Sequence, residues 1–194
     1  MMQARLAGER RLDNMLKLLC HPESSGSLVG SIEVNMGLEG DGRLWIRYYT
    51  PCPLDSVETL APADPVHTDG LWKSTCFELF MRKAGEEAYL EFNFAPSGQW
   101  AAYHFESYRD GMRPITLPRV PAITLDAGDG YLSVEASLDL PSEYSSDAWE
   151  AGVSVVIEET DGTKSFWALK HPPGKPDFHH KSCFAAKLLP PEIP

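Results

Sequence analysis

Hydrophobic and polar residues alternate with a period of two along most of this chain. The clearest run is Gly70–Phe105. Thr75, Phe77, Leu79 and Met81 alternate with Cys76, Glu78, Phe80 and Arg82. Leu90, Phe92 and Phe94 then alternate with Tyr89, Glu91 and Asn93, and Pro96-Ser97-Gly98 turns the chain into Trp100–Phe105. Successive side chains of a strand point to opposite faces of a sheet, so each alternating set marks one face. One face is plainly apolar. The other gathers Glu78, Arg82, Glu91 and Asn93, with Trp72 and Trp100 at the edges of the segment. Such a face is either the solvated side of an antiparallel sheet or a groove that reads a ligand by hydrogen bonds.

The same period recurs elsewhere. Leu16–Cys20, Leu28–Leu38, Arg43–Thr50, Ile123–Leu125, Tyr131–Leu140, Gly152–Thr160, Lys164–Lys170 and Cys183–Leu189 all read as strands, with Gly30 as a weak point or bulge. Glu39-Gly40-Asp41-Gly42, Ala127-Gly128-Asp129-Gly130 and Asp161-Gly162 are hairpin signals. Pro51–Pro65 and His171–Lys181 are loops by composition. Pro141–Trp149 is the one helical candidate, because Pro141 and Ser142 suit a helix start. About ten strands with little helix predict an all-β fold: an antiparallel, jelly-roll-like β-sandwich. Residues 1–14 are polar and basic and read as a flexible leader, with Met15 a possible true start; residues 15–194 read as a single domain.

Composition narrows the partners. A net charge of −11 opposes binding to a phosphate backbone or an anionic membrane. No run approaches the roughly 20 apolar residues of a spanning helix, and the apolar run Met15–Cys20 is too short for a secretory signal core. The expected compartment is the cytoplasm. Cys20, Cys52, Cys76 and Cys183 show no paired spacing, and those within apparent strands behave as small buried hydrophobes.

Three blocks carry a resemblance: LWKSTCFELFMR (71–82), YLEFNFAPSGQWAAY (89–103) and SFWALKHPPGKPDFHHKSCFA (165–185). Tryptophan, then an acidic strand residue, then Tyr-x-Glu-Phe and Pro-x-Gly resembles the DOMON-like domains related to family 9 carbohydrate-binding modules. The last block is similar to a stand-alone bacterial group of that type. The resemblance implies sugar binding, with a glycan end clamped between two tryptophans, or haem binding in electron transfer.

The residues then divide as follows. Trp72 and Trp100 are candidate stacking plates, and Glu78, Arg82, Glu91 and Asn93 are candidate hydrogen-bonding groups. His171 and Lys175 lie in a loop expected to fold over the groove edge. Trp45 and Trp167 are expected in the core. No nucleophile elbow, phosphate loop or zinc-protease motif occurs, so a non-catalytic saccharide binder without cofactor is the leading expectation. His171, Asp177 and His179 are weak metal candidates, since adjacent strand residues face opposite ways. A redox or metal domain using His171, His179 or Met81 is one alternative, and a protein-interaction module is another.

Overall fold

The computed structural model describes residues 15–24, 27–39, 42–144 and 148–189. Its strands are β1 (Leu16–Cys20), β2 (Ile32–Leu38), β3 (Arg43–Pro51), β4 (Cys76–Lys83), β5 (Tyr89–Phe94), β6 (Trp100–Phe105), β7 (Arg113–Pro114), β8 (Ala122–Gly128), β9 (Tyr131–Asp139), β10 (Trp149–Glu158), β11 (Lys164–Ala168) and β12 (Ala186–Leu188). Every ladder between them is antiparallel. One layer runs β7-β6-β5-β4-β10-β11, with β12 also paired to β10. The other runs β2-β3-β9-β8. Strand β1 joins them: Leu16–Leu18 pair with β2, whereas Leu19 and Cys20 pair with β11. The sheet therefore curls over its own core, as the alternation predicted.

That core lies between the inner faces. Val34, Ile46, Tyr48 and Val134 from one layer meet Phe77, Leu79, Met81, Phe92 and Val155 from the other, all essentially out of water. Each such side chain contributes about 1.5–3 kcal/mol by burial. Tyr48 places a phenol in this apolar slab, and its hydroxyl donates to the Glu78 carbonyl at 2.9 Å. A buried hydroxyl without a partner would cost about 1–3 kcal/mol, so this bond is what makes Tyr48 tolerable there. It also crosses from β3 to β4, tying the two layers together.

Several expectations change. Pro141–Trp149 is not a helix: Ser142–Tyr144 is a 3-10 turn, and Trp149 opens β10, opposite Lys83 on β4 and Leu188 on β12. Residues 145–147 of that stretch lie outside the described residues, as do residues 1–14 and the Gly40-Asp41 hairpin pair. Gly30 is not within a strand, because β2 starts at Ile32. Cys183 belongs to a 3-10 turn, Lys181–Cys183, and the last strand starts at Ala186. Trp167 is buried, as expected, with Nε1 donating to Ser165 Oγ at 2.9 Å. Trp45 is half-buried on the outer face, where it packs over the bare backbone of Gly37.

Removing the Tyr48 hydroxyl tests the inter-layer bond. Tyr48→Phe is expected to lower unfolding free energy by about 0.5–1.5 kcal/mol in urea titration, with an unchanged m-value. An unaltered midpoint would mean that the bond contributes nothing to stability.

Candidate functional site

The outer face of β4, β5, β6 and β10 is covered, and this decides where a ligand can go. Phe80, Tyr89, Tyr103, Phe105 and Val156 form a second apolar cluster there with Phe178 and Phe184 from the C-terminal segment. Glu78, Glu91 and Asn93 lie within this covered face, at 3%, 5% and 0% exposure. They are not on a solvated surface. A cleft of about 400 Å³ opens onto Glu78 and Glu91, within the range of small-molecule sites. Trp72, Phe105, Phe166 and Phe178 supply aromatic lining, while Arg109, Met112 and His179 complete much of the remainder.

Trp72 sits on the 3-10 turn Leu71–Lys73, 40% exposed. The turn is entered through Gly70 at φ 80, a left-handed conformation suited to glycine. Asp69, just before it, accepts a 2.5 Å hydrogen bond from Tyr103 Oη on β6. The Lys73 carbonyl accepts one from Lys164 Nζ. Both ends of the turn are tied to strands, so the indole is presented at the cleft on a fixed support.

The two carboxyls come from adjoining strands. Glu78 on β4 is opposite Asn93, and Glu91 on β5 is opposite Phe80, which places the acids diagonally on one face. Glu78 Oε2 accepts from Ser154 Oγ at 2.9 Å. Glu91 Oε1 accepts from Asn93 Nδ2 at 2.7 Å, and the Cys76 thiol donates to Asn93 Oδ1 at 3.8 Å. No lysine or arginine hydrogen-bonds to either acid among the described residues. Burial, and then the Glu91 charge, push the Glu78 carboxyl well above the ordinary range, against the opposing pull of Ser154 and Arg109. Burial likewise raises Glu91, against the Asn93 bond and Arg109.

One wall is a polar tie between two loops. Asp177 accepts from Arg109 at 2.9 Å, from Tyr108 Oη at 2.6 Å and from the His179 amide at 3.3 Å. Burial works against this charge, but the Tyr108 and Arg109 bonds hold the carboxyl below its usual range. Arg109 adopts φ 55, uncommon for a residue with a side chain; its amide donates to Tyr89 Oη at 3.2 Å. Tyr89 Oη also lies 2.8 Å from His179 Nδ1. With Glu91 Oε2 as an acceptor beside Nε2, and the phenol oxygen taking the Arg109 amide, we assign the direction as Tyr89 O–H donating to Nδ1. The ring hydrogen then sits on Nε2, facing Glu91 Oε2 at 3.9 Å. Burial and the Arg109 charge push the His179 ring down to about 4. It is therefore neutral near pH 7, and its contact with Glu91 is dipolar rather than ionic.

The structure does not bring every candidate together. Trp100 lies on the inner face opposite Phe94, 8% exposed, with Nε1 donating to the Pro65 carbonyl at 3.2 Å. Parity explains this: Tyr103 and Phe105, three and five residues on, are the outward rings of the strand. Arg82 pairs with Glu150 at 2.6 Å and stacks over Phe184, beyond the cleft. His171 Nε2 donates to the Leu19 carbonyl at 2.7 Å, and Lys175 is exposed outside the lining. Met81 is in the inner core, on the other side of the sheet from His179, so these two do not face one axial site. Among the described residues, no three His, Cys, Asp or Glu side chains are placed to share a metal ion. Sequence reasoning did not nominate Arg109, Phe105, Met112, Phe166 or Phe178 for the site. The local basic excess of Arg109, Arg113 and Arg119 was the one available signal.

The raised acids make stability depend on pH with a definite sign. Their folded-state values lie above the unfolded ones, so their contribution is present below the ordinary carboxylate range and is lost as pH rises through the raised values. Glu78→Gln removes one of these groups. Its melting temperature minus that of the wild type is expected to increase by at least about 3 °C between about pH 5 and about pH 8. Parallel melting curves across that interval would remove the buried-acid account.

No family model and no curated protein sequence matches this chain. Solved structures do. A candidate carbohydrate-binding protein from Bacteroides uniformis shares the fold over 90% of this chain and 85% of its own, with a TM-score of 0.68 and 14% identity. A family 9 carbohydrate-binding module from Caldicellulosiruptor kristjanssonii, in complex with glucose, matches 89% of this chain and 84% of its own, at a TM-score of 0.50 and 12% identity. At such identities the likeness is one of fold, and the fold is like that of a family 9 carbohydrate-binding module.

Proposed function

We propose that this protein binds a saccharide in the cleft between Trp72 and the covered face of β4 and β5, without acting on it. The observation that carries this reading is the pairing of a 40% exposed indole with two carboxyls that are almost fully buried yet open to the same cavity. A sugar ring has an apolar C–H face and an edge of hydroxyls. The indole suits the first, and desolvated acceptors suit the second. Phe105, Phe166 and Phe178 take the part that a second tryptophan plays in the clamp implied by the resemblance. Glu78 and Glu91 meet hydroxyls, and Asn93 orients Glu91. The solved neighbour in complex with glucose makes glucose the first probe to use.

Quenching of tryptophan fluorescence across a glycan panel tests the proposal. Trp72→Ala is expected to weaken every detected ligand by about tenfold or more with little change in melting temperature. Trp100→Ala is expected to act through the core, costing about 3–5 kcal/mol of stability. Undiminished binding by Trp72→Ala would sink the reading.

A further inference from the structure

In their ionised form the two buried acids have no hydrogen-bonded cation among the described residues. Burying a carboxylate is costly unless a positive charge or several hydrogen bonds offset it. Among the described residues the Glu78 carboxyl has one hydrogen bond, from Ser154. Glu91 has one, from Asn93, together with a neutral ring at 3.9 Å. Each acid is more than nine-tenths buried and faces the cleft. Among the described residues Arg109 is the one lysine or arginine in the lining, but its guanidinium is engaged by Asp177 at 2.9 Å, and its side chain is 51% exposed. Its charge still favours ionisation of both acids, but it hydrogen-bonds to neither, and burial outweighs it. Ser154, Cys76 and Asn93 face the acids from β10, β4 and β5 and carry no positive charge. Tyr89 and Tyr103, from β5 and β6, add only phenols with raised values.

We infer that the cleft takes a saccharide bearing a protonated amine, seated with its ammonium group against Glu78 and Glu91. This rests on the saccharide reading above. An ammonium offers three donors and a full positive charge to a site with spare acceptors, and a cation seated there favours the ionised form of both carboxyls. The lining favours a cation a second time: Trp72, Phe105, Phe166 and Phe178 present ring faces or edges around the same space, and desolvated aromatic faces attract cations. A neutral hydroxyl supplies a hydrogen bond but leaves in place the mutual repulsion that keeps a proton on Glu78, whereas an ammonium offsets it. That repulsion is already expressed in the elevation of Glu78, to which Glu91 contributes after burial.

The test is a titration at neutral pH with D-glucosamine, D-galactosamine and D-mannosamine, each against its parent hexose and its N-acetyl derivative, which has the same stereochemistry without the charge. At least one amino sugar is expected to bind about tenfold or more tightly than both neutral forms. That preference should fall to near unity in Glu78→Gln and in Glu91→Gln. If hexoses or N-acetyl sugars bind as well as the amines, the inference fails and saccharide binding stands. If no sugar of any kind binds, both fall. The wild-type ratio decides the matter even where a variant folds poorly.

Discussion

A strand with both faces out of water has no solvent in which to hide a polar side chain, and β4 and β5 are such strands. Their inner residues fill the sandwich, and their outer residues support a second apolar cluster under the C-terminal segment. Glu78, Glu91 and Asn93 must therefore find partners inside the protein or in a ligand. The arrangement around them follows from that need. Ser154 and Asn93 are spent on single oxygens, and the remaining acceptor capacity is directed into the cleft.

The lid over this face is held by polar contacts as well as packing. Phe178 and Phe184 contribute apolar burial, but Asp177 sets the register by gathering Arg109, Tyr108 and the His179 amide at one carboxylate. An aspartate held by three donors favours its charged form. Tyr89 Oη joins the same two loops, accepting the Arg109 amide and meeting His179 at Nδ1. Aromatic packing around His179, with Phe80 and Phe105 rings 5.1 Å and 5.3 Å away, leaves the imidazole little freedom to turn.

Much of the fold was legible because alternation is a local property. The spans of β1, β5 and β6 follow directly from the apolar positions Leu16, Leu90, Phe92 and Ala102 and their neighbours. Trp149 was misread because Pro141-Ser142 is a helix signal over a few residues, and the ladder to Lys83 and Leu188 outweighs so short a segment. The site was half legible. Glu78 and Glu91 could be assigned to one face from parity alone. Whether that face was wet depended on residues about 90 positions downstream, for which no local pattern exists. Trp100 shows the complementary limit: its face is set by the register across the Pro96–Gly98 turn, where Phe94 and Trp100 become direct partners. Arg109 and His179 meet through Tyr89 and Asp177, long-range contacts with no periodic signature.

The hydrogen bond from Tyr48 to the Glu78 carbonyl links the cleft to the far layer. The backbone that carries one floor carboxyl is gripped from behind by a side chain of the opposite sheet. The cavity is consequently not a feature of β4 and β5 as a separable hairpin with loops draped over it. Its floor is braced by both layers, so a change at Tyr48 on the far side of the core bears directly on the backbone that positions Glu78.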